Sequence, residues 1–289
     1  MKKGITIFFI VFIFTQKASA QNDGIPIGAR AVGIGNSTVT ISDQWAIFNN
    51  AAGMANIENI AVGVFFENRF GMKEFSSVAA GFVFPVNQLF RFDTLSSYGV
   101  AGMSFYRFGD QLYNEQRAGI GYAHNIKNVS LGIKVNYWQL SIEGLGTKRT
   151  YTIEFGGQAA ITKELIFGAH IYNINQAKLA EYKDERVPTI MKAGLSYRPR
   201  VLVDKLMLNI ETEKDVDFPV SFKAGVEYMI IEKLSLRTGI STRPFFNYFG
   251  VGFQFKSFDV NYALSTHSDL GLSHYLSVSY NFENIINKE

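Results

Sequence analysis

Cysteine is absent from the 289-residue chain. That excludes disulfides, thiolate metal centres, thiol nucleophiles and a lipid-modified N-terminal cysteine. Proline is scarce, with six in all, which leaves long backbone ladders uninterrupted. Beyond Ala20 there is no continuous apolar run of the roughly 20 residues that a spanning helix requires. Neither sign of charge is in excess: without Lys2, Lys3 and Lys17 of the leader, the 28 Lys and Arg fall to 25, the same number as Asp and Glu. Nucleic-acid binding needs a basic excess or a basic stripe, and the sequence shows neither.

What is present starts with an export signal. Met1-Lys2-Lys3 is a positive n-region, residues 4–14 are apolar, and Ala18-Ser19-Ala20 has the small-x-small cleavage pattern. Residues 1–20 therefore read as a signal peptide, with the mature chain starting at Gln21. Hydrophobic residues make up 47% and mean hydropathy is +0.04, too polar for a bundle of membrane helices. The values suit a barrel with an apolar outer face and a polar lumen, and the 15% aromatic content suits interfacial girdles.

Period-two alternation then recurs along the chain. Leu276, Val278, Tyr280 and Phe282 share one face against Ser277, Ser279 and Asn281. Val129, Leu131, Ile133, Val135 and Tyr137 likewise oppose Ser130, Lys134 and Asn136. In hydrocarbon every backbone polar group must be satisfied within the protein, so a spanning sheet has to close. The expectation is an all-β transmembrane antiparallel barrel of about 14 strands over residues 58–282, with a short tail at 283–289. The strands are expected at 58–69, 75–85, 97–108, 115–126, 129–142, 149–162 and 164–174. The others are expected at 189–198, 205–213, 220–230, 233–242, 246–255, 257–266 and 273–282. Merging the weak third or ninth segment would reduce the count to about 12. Connections after even-numbered strands are expected to be tight and periplasmic, and those after odd-numbered strands longer. The exception is 86–95, which carries Phe90 and Phe92.

Residues 21–57 do not alternate and are rich in small side chains. They read as a hatch held inside the barrel, where non-helical backbone is sheltered from lipid. Ser42 or Asp43 is placed to N-cap a short helix through Phe48. Gly28, Arg30-Ala31, Gly33, Gly35, Asp43 and Asn50-Ala51-Ala52-Gly53-Met54 together form a pattern. It resembles the hatch signature of FadL-type outer-membrane channels and of the PorV/PorQ branch associated with type IX secretion. The departures are Ala51 where the family has Pro, and Met54 where it has Leu. The resemblance implies the outer membrane of a Gram-negative bacterium. It also implies an accessory, non-enzymatic barrel of a large secretion or assembly complex, with outer-membrane lipids and larger outer-membrane proteins as partners and no cofactor. Two alternatives stay open: a FadL-like transporter of hydrophobic small molecules, and a passive porin. Gly99, Gly102, Gly119 and Gly121 could mark kinks or openings in the wall for lateral exit.

The lumen-facing parity gathers Glu67, Arg117, Lys134, Glu154, Lys192, Arg198, Glu211, Lys223, Glu227 and Arg237. A ring of one sign would select ions. Mixed signs instead predict neutralising pairs that brace the interior, and they do not make an apolar tunnel. Of the four histidines, His267 and His274 flank Asp269 in one loop, a spacing unspecific for metal. His170 shares the lumen parity with Tyr172 but has no sequence-local triad partner. Gly33-Ile34-Gly35 lacks the strand and helix context of a phosphate loop.

Overall fold

The computed structural model describes residues 26–90, 98–180, 185–202 and 205–282. The expected signal peptide with its cleavage site, Phe92 and the tail at 283–289 lie outside them. Fourteen strands close into one antiparallel barrel. They are β1 (Ala61–Asn68), β2 (Ser76–Pro85), β3 (Val100–Gly109), β4 (Tyr113–Ile126), β5 (Val129–Ile142), β6 (Gly146–Ala160) and β7 (Leu165–Tyr172). After an excursion through a small hairpin, β8 (Lys178–Ala180) and β9 (Glu185–Arg186), the wall resumes. Its remaining strands are β10 (Ile190–Tyr197), β11 (Leu206–Asp215), β12 (Ser221–Ile231), β13 (Leu234–Thr242), β14 (Phe245–Phe255), β15 (Phe258–His267) and β16 (Gly271–Asn281). Closure is by β1 on β16, from Ala61 opposite Asn281 to Asn68 opposite His274. The segments that seemed weakest, β3 and β11, are full members of the wall.

Burial runs opposite to that of a water-soluble sheet. On β5 the outward Ile133 and Val135 are 47% and 38% exposed, while the inward Lys134 and Asn136 are 4% and 2% exposed. Such a surface is stable where the surrounding solvent is hydrocarbon, because lipid takes the place of a core. Among the described residues no helix is long and apolar enough to cross a membrane.

The lower end of the barrel is the one where β1 begins and β16 ends. The connections depart from expectation. The longest upper one, 173–189, is on the expected side and 86–99 at the lower end is the long exception expected there, but the upper 110–112, 143–145 and 243–244 are tight and the lower 198–205 is long. The upper mouth is narrowed from within instead. Ala177 and Val187 of the β8–β9 excursion are buried against Trp138, Tyr172 and Ile190.

The hatch occupies the lower lumen. It consists of α1 (Ala29–Gly33), α2 (Ala46–Asn49) and a 3-10 turn at Ala51–Asn56. Helix α1 lies against β13–β16 and the turn against β3–β6. The wall receives it on glycine. Gly63 faces Gly81, Gly102 faces Gly121, Gly132 faces Gly156, Gly168 faces Gly194 and Gly225 faces Gly239 in the strand registers. A Cβ at Gly132 would fall on the backbone of Ala51 and Ala52, and one at Gly225 on the Ile34 carbonyl. Gly102 and Gly121, expected as openings, seat Ile47 and Met54. The β3–β4 ladder runs unbroken from Val100–Ala123 to Gly109–Asn114. The expected N-cap is also displaced: Trp45 occupies that position. Asp43 instead accepts the Trp45 N–H at 2.9 Å through one oxygen and meets Arg30 with the other.

Candidate functional site in the barrel lumen

Each glycine and each polar residue of the hatch pattern has a mechanical part. Gly28 (φ 110°) and Gly35 (φ 69°) adopt backbone that side chains disfavour, and a Cβ on Gly28 would stand 2.8 Å from the Trp45 ring. Gly33 approaches Gly250, whose Cα would be 3.2 Å from an added Cβ. Arg30 grips Glu227 of β12 with two hydrogen bonds of 2.9 and 2.7 Å and reaches Asp43 at 3.3 Å. Burial pushes the Asp43 carboxyl up from its ordinary value, and Arg30 opposes that shift. Glu227 also accepts from Arg237, whose other arm donates to Asn261 at 2.6 Å. Asn50, fully buried, donates to the Val39 carbonyl at 2.6 Å and accepts the Ala52 N–H at 3.2 Å. This closes the turn that begins at Ala51, where the family has Pro. A Cβ on Gly53 would collide with the Ile41 carbonyl.

Above the hatch the expected lumen charges meet in groups of opposite sign. Glu154 receives Asn136 at 2.6 Å, His170 at 3.1 Å and Lys134 at 3.4 Å. Lys192 and Lys223 converge on Glu213 at 3.3 and 2.6 Å, and Lys223 lies 3.7 Å from Glu211. Glu211 uses its other oxygen to accept the Thr38 and Val39 N–H groups of the hatch at 2.7 and 2.8 Å. Near the upper rim Glu67 is held by Arg69 at 2.6 Å and Ser77 at 2.7 Å. Arg198 lies near the lower rim beside Met207. Buried ions are tolerated when paired and hydrogen-bonded in this way. The bracing role expected from mixed signs therefore describes most of them.

Glu213 escaped the sequence reading, although it shares the parity of Glu211 and binds two lysines. Asn261 and the glycine belt escaped it as well. Glycine on the lumen parity was the available signal for the belt. His267 and His274 are not brought together: His267 turns inward to Phe70 and Phe246, whereas the exposed His274 pairs with the Tyr262 hydroxyl at 2.7 Å on the outer face. His170 has a carboxylate for a neighbour rather than a serine. Between hatch and upper lumen lies a narrow cavity of about 30 Å³ bounded by Phe48, Arg117, Lys134, Glu154, His170 and Lys192 among others.

No protein-family model and no curated protein matches the chain in sequence. Solved structures do resemble it. The toluene transporter TodX of Pseudomonas putida superposes with a TM-score of 0.66 at 12% identity, over 90% of this chain and 100% of that one. For the CymD monoaromatic hydrocarbon channel the values are 0.67 and 10%, over 91% and 99%. For a FadL homologue of Pseudomonas aeruginosa they are 0.60 and 13%, over 89% and 98%. At such identities the likeness is one of architecture: the chain has the fold of the FadL-like outer-membrane β-barrels.

Proposed function

We propose that the protein is a hatch-closed conduit of the outer membrane for small hydrophobic molecules. The observation that supports this most directly is the extent of the likeness to the toluene and monoaromatic hydrocarbon channels. Coverage of 90% and 91% of this chain exceeds what residues 58–282 alone supply, so it takes in part of the hatch. Passage through the lumen requires the hatch to shift, because the wall glycines leave no gap beside it. The Arg30–Glu227–Arg237 contact is the latch that such a movement must release. An apolar hollow of about 520 Å³ lies on the outer wall of β7 and β10–β13, lined by Phe167, Ala193, Leu195, Phe222 and Ile240 among others. It offers a hydrophobic solute a place beside the barrel at the level of the lipid.

A second reading is the accessory barrel of a secretion or assembly complex in the PorV/PorQ manner. It is favoured by one observation, the lumen charges neutralised in pairs across the path. The two readings part in one experiment. Uptake of labelled toluene is measured in cells lacking the gene and in cells carrying it back. Loss and restoration of uptake supports the conduit. Unchanged uptake, with the barrel co-purifying with a larger outer-membrane protein in mild detergent, supports the accessory role.

A further inference from the structure

The cavity above the hatch carries a local surplus of positive charge. Arg117, Lys134 and Lys192 border it, and Glu154 is the one carboxylate among its lining residues. Glu154 already serves Lys134 and His170, and the carboxylate of Lys192, Glu213, lies closer to Lys223. Arg117 makes no salt bridge among the described residues, and the Tyr172 side chain is its hydrogen-bonding neighbour. Its guanidinium carbon lies 4.2 Å from the centre of the Tyr106 ring, and its buried Nε has no acceptor. Glu115, two positions along β4, accepts from the Tyr113 hydroxyl at 2.8 Å. His170, only 3% exposed, spends Nε2 on Glu154 and leaves Nδ1 without a partner. The Arg117 Nε–H is a buried donor left unpaired, which carries a desolvation cost of about 1–3 kcal/mol, more when charged.

The volume is matched to a small guest. A water needs about 10–15 Å³ on this measure, so about 30 Å³ admits a molecule the size of two waters. Gly119 keeps the space open, since a Cβ there would stand 2.7 Å from Lys134 Cε and 2.8 Å from Ser104 Oγ. The hatch supplies one wall: the Phe48 ring centre is 5.2 Å from Lys134 Nζ. We propose that this chamber binds a small monoanion, of formate size or smaller, through Arg117 and the flanking lysines. The site stands independently of hydrocarbon transport.

The test is calorimetric titration of the purified full-length barrel in detergent, in a chloride-free HEPES buffer at fixed ionic strength. Formate is compared with neutral, near-isosteric formamide. Saturable binding of formate and none of formamide is expected. Arg117→Gln should weaken it about ten-fold or more, as loss of a charge-assisted hydrogen bond predicts. Lys192→Gln leaves Glu213 to Lys223 and should weaken binding about three-fold on the same grounds. It carries the test should Arg117→Gln fail to fold, as read by heat-modifiable gel mobility. Chloride separates the sources: displacement of formate supports an inorganic anion as the guest, and persistence of formate binding supports an organic carboxylate. A flat formate titration of the folded barrel, or formamide bound as well as formate, overturns the proposal and leaves water as the occupant.

Discussion

At the level of Gly132, Gly156, Gly168 and Gly194 the wall offers no side chains, and the hatch fills the space with Ala51, Ala52, Asn50 and Val39. Two residues further along the same four strands the wall presents Lys134, Glu154, His170 and Lys192, and the space narrows to a small chamber as charge pairs with charge. These neighbouring layers have different tolerances. Backbone seated on glycine leaves no slack, so any added carbon must move the hatch or the wall. The charge layer is a network in which a carboxylate commonly has two partners, so losing one leaves another.

Glu227 lies two residues below the glycine layer on β12 and ties hatch to wall, holding the one through Arg30 and the other through Arg237, and its removal should have the largest effect. Glu227→Gln leaves two guanidiniums facing each other without their carboxylate, at a cost of about 3 kcal/mol. Denaturant unfolding in detergent micelles should show that loss, and limited proteolysis should begin to cut within residues 26–57. The double variant Glu227→Gln/Arg237→Gln leaves Arg30 to Asp43 and should recover part of the stability while leaving the hatch cleavable. Next comes Gly132→Ala, one carbon added to the glycine layer. It should cost about 2 kcal/mol by overpacking and raise the ion conductance of the barrel in planar bilayers as the hatch loosens. Unchanged stability and conductance would show that the hatch is not held tightly at this layer.

The wall was legible because alternation is written against hydrocarbon. Residues 129–142 were expected as a strand and form β5 with those bounds. Each outward position there must be apolar and each inward one need not be. The β8–β9 hairpin was not legible, since the polar stretch at 175–188 has no period. Its packing depends on Ala177 and Val187 meeting Trp138 across the mouth. The hatch pattern was readable as a set of residues but not as a set of contacts. Arg30 and Glu227 lie 197 positions apart, and nothing local in either segment names the other. The glycine belt gave a weak trace, a glycine two residues from a lumen charge on strand after strand. Hydropathy cannot register it because glycine carries none.

Within the hatch, Asn50→Ala should cost about 1.5 kcal/mol. It strands the buried Ala52 N–H and leaves the Val39 carbonyl to Gln158 Nε2 alone at 3.1 Å, without adding volume. The effect should be smaller than that of Gly132→Ala and confined to the stability of the 3-10 turn, read as faster amide exchange over residues 51–56.

The smallest effect is expected in the charge layer. Lys192→Gln removes one of the two lysines on Glu213, but Lys223 remains at 2.6 Å, so the carboxylate is not left alone in the lumen. A loss of about 1 kcal/mol is expected, the value of a single hydrogen bond rather than of a broken buried pair. Lys192→Gln with Lys223→Gln should then cost more than the two single changes added together, because only the double variant abandons both Glu213 and Glu211. Unfolding midpoints of the three variants check this directly. Additive losses, or a Lys192→Gln loss as large as that of Gly132→Ala, would mean that the charge layer is as rigid as the glycine layer beneath it.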